Sequence, residues 1–242
     1  MLANLNLHKI LFLDIETVPL YESFEEVPAI EQAYFEEKTS YLRKEGQSST
    51  DFYERAGIWA EFGKIICISV GYFTPQKNPR EFRLKSFSGE ESSILNAFKT
   101  LLENYFNSKS HLLCGHNSKE FDFPYISRRM IIHGIKLPKA LELFNKKPWE
   151  VPHIDTLHLW RFGDYKHYTS LKLMAHVLGI PSPKDDINGS QVAQVYYKEK
   201  ELSQIVEYCE KDVITVAQII LKLRNEPLLS EKEIQLSSKD RF

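Results

Sequence analysis

Cysteine is scarce in this chain: Cys67, Cys114 and Cys209 are three among 242 residues, an odd number with no CxxC spacing. That excludes a disulfide framework and a cysteine-rich zinc module. Two of the three fall in apolar, strand-like runs, so buried thiols in a reducing, intracellular compartment are the expectation. The eight histidines show no paired ligand spacing. Long hydrophobic runs are absent too. The opening MLANLNLHKILFLDIE holds only a few apolar residues before Asp14, too short for a signal peptide or a membrane span, so a cytoplasmic protein with no membrane partner is expected. Nor is either charge in excess. Lys and Arg number 31 against 33 Asp and Glu, a net charge of −2, so any nucleic-acid contact must use a local basic patch. No repeat, low-complexity tract or linker interrupts the sequence. A hydrophobic fraction of 43% suffices for a buried core, and one domain over 1–242 is expected.

What is present alternates between strand and helix signals. KILFLDIET reads as a buried strand that Pro19 stops, and KIICISVGYF and EFRLKSFSG follow as further strands. Residues 20–60, charged and aromatic, form an elaboration between the first two strands, with SST at 48–50 a helix start. EESSILNAFKTLLENYF places Ile94, Leu95, Phe98, Leu101, Leu102 and Tyr105 at helical spacing. HLLCGHN reads as a short strand, FPYISRRMIIHG as a helix ended by Gly134, and the last long helix runs from about Lys200 to Arg224. The polar tail 227–242 is expected to be loosely held. Strands early and helices interposed later predict an α/β fold, a mixed central β-sheet flanked by helices.

Three short motifs carry chemistry. In LFLDIETVP, Asp14 and Glu16 lie two apart on a strand and share a face. Two adjacent carboxylates repel, and a hard divalent cation between them relieves the conflict; a solvated strand end is the plainer alternative. In GHNSKEFDFP, Asp122 stands where a strand passes into a helix, a place an ordinary helix start also explains. In EYCEKDVITV, Tyr208 and Asp212 lie four apart on one helical face. Each motif alone says little; their joint occurrence in this order carries the inference.

Together the DxE, Asn117-x3-Phe121-Asp122 and YxxxD patterns resemble the DEDD superfamily of 3′→5′ exonucleases in its tyrosine-bearing branch. The histidine-bearing branch would need histidine where Glu207 stands. The likeness is greatest to the proofreading exonuclease domains of family B DNA polymerases, through FGKIICISVGYF, HIDTLHL and SLKLMAHVLGI as well. It implies a ribonuclease H-like fold, here as a stand-alone relative without a polymerase domain. It further implies two divalent cations, Mg²⁺ with Mn²⁺ as substitute, held by Asp14, Glu16, Asp122 and Asp212, with Tyr208 orienting the attacking water. Asn117, Phe121, Ile15 and Thr17 match positions around the terminal nucleotide, while Ile15 and Phe121 also read as plain core. The activity implied is release of nucleoside 5′-monophosphates from the 3′ end of single-stranded DNA, with a polymerase or repair protein as a possible partner. RNA trimming and a non-catalytic nucleic-acid-binding module are the competing readings. His116, beside Asn117, reads as a packing or hydrogen-bonding residue. Arg128, Arg129, Lys136, Lys139, Lys146, Lys147 and Lys166 make 128–166 locally basic, which favours phosphates if these side chains share a face.

Overall fold

The computed structural model describes residues 2–75, 80–181 and 187–236. Its centre is a six-stranded mixed sheet in the order β5-β4-β1-β2-β3-β6. Strands β1 (Ile10–Pro19), β2 (Gly63–Phe73) and β3 (Phe82–Ser88) form an antiparallel meander. Strands β4 (Leu112–Gly115) and β5 (Ile154–Asp155) extend it parallel to β1, and β6 (Ile234–Leu236) pairs parallel with β3.

Helices cover both faces. They include α1 (Ala29–Thr39), α2 (Glu91–Tyr105), α3 (Asp122–Ile132), α4 (Thr156–Arg161), α5 (Leu171–Val177) and α6 (Leu202–Leu223). Strand alternation sorts the core. Leu11, Leu13 and Ile15 of β1 pack with Ile94, Leu95 and Phe98 of α2 and with Phe123 and Ile126 of α3. Ile10 and Phe12 point the other way, onto Val213, Val216 and Ile220 of α6. Asp14 and Glu16 therefore continue the face that α6 covers. Where apolar residues would otherwise meet that helix, the strand presents two carboxylates.

Residues 20–60 build a satellite core from Phe35, Phe52 and Tyr53, completed by Phe62 just before β2. Its carbonyls are tied to β1 and α3: Gly57 O accepts from Thr17 Oγ1 at 2.8 Å and from Tyr125 Oη at 2.9 Å, and Ala60 O from Arg129 at 2.9 Å. A Cβ on Gly57 would come within 3.0 Å of the Val18 carbonyl carbon, so glycine permits this close seating.

Three expectations need correction. Tyr105 is exposed, and Phe106 at the end of α2 is buried instead. Arg129 is not part of a solvated basic face: it is buried and forks onto Glu91, with Nε–Oε1 at 2.8 Å. The segment 227–236 is not loose, because β6 joins the sheet and Arg80 binds Glu233 and the carbonyls of Pro227 and Leu228; the remainder of the expected tail, 237–242, lies outside the described residues. Among the described residues no helix is long and apolar enough to cross a membrane.

Candidate active site

The first carboxylate pair owes its position to β1 and to small neighbours. Asp14 lies opposite Ser69 and Glu16 opposite Cys67 on β2, and the pairing shifts register between Glu16 and Thr17, leaving Ile66 as an extra residue on β2. Such a bulge re-aims side chains at the end of a ladder. From the covering helix, Cys209 packs onto the pair: its thiol lies 3.4 Å from both the main-chain O and Oδ2 of Asp14. Ligand atoms of Asp14, Glu16 and Cys209 all fall within 4.8 Å of one another. On the same helix, Tyr208 beside Cys209 and Asp212 one turn on line the same small chamber as Asp14, about 240 Å³ in volume.

Asp122 arrives from the opposite side of the sheet. The chain leaves β4 at Gly115 and turns through Asn117, whose φ of 61° is left-handed. The connection is then gathered onto a buried carboxylate: Asp155 accepts from the N–H groups of Asn117 and Lys119 at 3.0 Å each, and from Leu157 N at the start of α4. Gly115 is required here, because a Cβ would overlap the Ser118 side chain while standing 3.0 Å from Leu13 O. The N-cap of α3 is Phe121, and it makes no side-chain capping bond. Asp122, one residue further on, is buried in the first turn and is not spent as the cap.

These groups raise one another's proton affinity. Asp14 is pushed well above the usual carboxylate range by burial first, then by the charges of Asp122, Asp212 and Glu16. Glu16 is raised by burial and by Asp212. Burial lifts Asp122 to about 7. Buried like charges without a cation between them behave in this way. His116, by contrast, has both ring nitrogens engaged, Nδ1 with Thr156 Oγ1 and Nε2 with Thr169 O, each at 2.9 Å; burial lowers its pKa. It is a hydrogen-bonded packing residue at the chamber wall.

Beside the carboxylates opens a second, larger pocket of about 560 Å³. Ile15, Glu16, Thr17 and Phe121 line it together with Glu54, Arg55 and Gly57 of the 20–60 elaboration and with Gly189, Ser190 and Ala193. Asn117 stands at the turn before Phe121, with its Oδ1 buried and unpartnered among the described residues. Sequence reasoning missed Asp155, although an Asp directly before TLHLW carries a helix-start signal. It also missed Arg55 and Gly57, for which no local signal exists.

With that geometry in view, likeness to known proteins becomes informative. The family described as "Predicted 3'-5' exonuclease related to the exonuclease domain of PolB" matches residues 58–234, most of the chain. The chain belongs to that family. The matched segment contains Asn117, Phe121, Asp122, Tyr208 and Asp212, while Asp14 and Glu16 precede it. No curated protein matches the sequence. In fold, the chain is similar to the family B DNA polymerase from the hyperthermophilic archaeon Pyrobaculum calidifontis, with a TM-score of 0.55 at 16% identity, over 89% of this chain and 24% of the polymerase. The mixed sheet with helices on both faces is that of a ribonuclease H-like exonuclease domain. The chain thus spans about a quarter of the polymerase it resembles.

Proposed function

We propose that this PolB-related exonuclease domain removes nucleotides from the 3′ ends of single-stranded DNA, as one unit over 1–242 and in the tyrosine-bearing manner. The observation that carries the reading is the meeting of Asp14 and Glu16 from β1, Asp122 from α3, and Tyr208 with Asp212 from α6. Three separate elements bring mutually repelling carboxylates together between two pockets, at a cost to folding that a structural role does not explain.

The donor set fits hard divalent cations. Its oxygen ligands are those of Asp14, Glu16, Asp122 and Asp212, while the Cys209 thiol points its hydrogen at Asp14 Oδ2 and so serves as a donor rather than a soft ligand. These four carboxylates would hold two such ions, Mg²⁺ or in its place Mn²⁺. Bound there, the ions acidify a water and neutralise charge on the scissile phosphate. The chain's own residues supply the rest. Tyr208, facing the same chamber as Asp14 and Asp212, orients the water. Phe121 offers a half-exposed ring for the terminal base. Ile15 and Thr17 line the pocket that the terminal nucleotide would enter, and Asn117, at the turn before Phe121, would lie near it.

The test is hydrolysis of 5′-labelled single-stranded DNA and RNA side by side, with Mg²⁺, Mn²⁺ or EDTA, and Asp14→Ala as control. The expected result is a metal-dependent ladder shortening from the 3′ end, absent in the folded variant, and faster on DNA. A faster RNA ladder assigns the domain to RNA trimming. An unchanged rate in Asp14→Ala refutes the site, and no ladder on either polymer favours a binding module.

A further inference from the structure

On the solvent side of α3 lies a groove that the chemistry above leaves unused. Pro124, Ser127, Arg128 and Ile131 follow at helical spacing along one wall, and the 137–151 connection forms the other over a floor of Leu141 and Val151. Its volume is about 330 Å³. The lining carries Lys119, Arg128 and Lys146 and no carboxylate. The acidic residues adjacent to the lining in sequence are engaged elsewhere: Glu120 pairs with His158 and Arg161, Glu150 accepts from Lys147 N at 2.7 Å, and Glu142 lines a separate hollow beside α2. Phe144 of the lining is 70% exposed, and Trp149, on the same 137–151 connection, is 76% exposed with Lys147 Nζ 5.3 Å from its ring centre.

Cations interleaved with exposed aromatic rings match a single-stranded nucleic acid, which presents regularly spaced phosphates and a π-face on every base. An acidic peptide would meet the charges but give the rings nothing to stack on. The groove also lies near the pocket beside the carboxylates. Phe121 lines that pocket and Pro124 lines the groove, so only the first turn of α3, about 5 Å of helix axis, separates them.

We propose that this groove is a binding subsite for the body of a single-stranded nucleic acid, with phosphates on Arg128 and Lys146 and bases stacked on Phe144 and Trp149, while Lys119 Nζ is held by the Val151 carbonyl at 2.9 Å. It rests on the exonuclease reading, in which the strand's end occupies the carboxylate pocket.

The test uses a fluorescent oligothymidylate of roughly 20 nucleotides, longer than the sites single-strand binders usually cover. Its affinity is read by anisotropy in EDTA, so that binding is measured without turnover. The exposed pairs Arg128→Gln with Lys146→Gln, and Phe144→Ser with Trp149→Ser, are expected each to weaken binding at least about tenfold. The charge pair should also flatten the salt dependence by about 1.4 in the log–log slope, roughly 0.7 for each phosphate no longer neutralised. With Mg²⁺, both variants should cleave the dinucleotide dTpdT, too short to reach the groove, at the wild-type rate while KM for the long strand rises. Unchanged affinity in both pairs overturns the proposal. Displacement of the oligonucleotide by polyglutamate as readily as by unlabelled DNA overturns it in favour of an acidic protein partner. A wild-type chain that binds through these residues yet cleaves nothing supports the groove and removes the exonuclease reading, so the two fail separately.

Discussion

Replacing Asp122 by asparagine should stabilise the metal-free protein and sharply reduce its response to Mg²⁺. The magnitude follows from the carboxyl's proton affinity. Burial holds Asp122 at about 7, against an ordinary value of 3.8. At about 1.4 kcal/mol for each tenfold change in affinity, ionising it in the folded state costs roughly 4 kcal/mol. The amide of Asp122→Asn carries no charge, but its N–H groups lose water on burial, which returns about 1–3 kcal/mol. A net gain of roughly 2 kcal/mol remains, or about 4–8 °C in Tm for a chain of this size. The pH sign is fixed. The folded pKa lies above the unfolded one, so the folded state holds the extra proton between about pH 4 and 7. Stability is fully present below that window, is lost as pH rises through it, and is flat above. Asp14 and Glu16 shift in the same direction, which steepens the wild-type decline. The assay is thermal unfolding in EDTA at pH 5 and pH 8, then with Mg²⁺. At a hundred times its Kd an ion bound only to the folded state adds about 2.7 kcal/mol. That gain should appear in the wild type at pH 8 and shrink sharply in the variant. A variant that melts no higher than wild type in EDTA at pH 8, with an equal Mg²⁺ response, would show that these carboxylates do not form a repelling cation site.

Three further outcomes are expected. Tyr208→Phe should slow turnover about a hundredfold or more, within the range a positioned proton-handling group contributes, while the Mg²⁺-induced rise in Tm persists; loss of that rise would refute a water-orienting role. Gly115→Ala should cost about 1–3 kcal/mol by overpacking and blunt the Mg²⁺ response, because the new methyl displaces Ser118 and with it the connection to Asp122; adding Ser118→Gly should recover both, and failure to recover points away from this contact. Glu91→Gln should destabilise by about 3–5 kcal/mol, since it strands the buried Arg129 guanidinium. Burial alone would raise Glu91, but Arg129, the Ile65 N–H and His133 outweigh it and hold its pKa low. Its contribution is therefore present at neutral pH and vanishes in acid, where a melt at low pH should show the variant and wild type converging.

The residues of the site were legible in sequence wherever local rules place a side chain. Two-residue spacing in a strand put Asp14 beside Glu16, and four-residue spacing in a helix put Tyr208 over Asp212, because these periods follow from backbone geometry alone. The stop after β1 at Pro19, the apolar spacing of α2 and the strand at 64–73 were readable for the same reason.

What tertiary structure decided lies where distant segments meet. Asp155 gathers the Asn117–Lys119 turn from 36 or more positions away, and a carboxylate before a helix looks identical whether it caps that helix or organises another loop as well. Arg129 reads as one more surface cation until α2 delivers Glu91 to it. The strand at 234–236 has too few residues to announce itself and exists because the edge of β3 leaves a row of backbone groups to pair. Residues 20–60 carry no motif, yet Gly57 seats them against β1 and makes Arg55 part of the pocket lining. Sequence by itself determined which chemistry the chain carries; the approach of non-adjacent elements decided which of those groups share one site, because burial and mutual repulsion exist only once they meet.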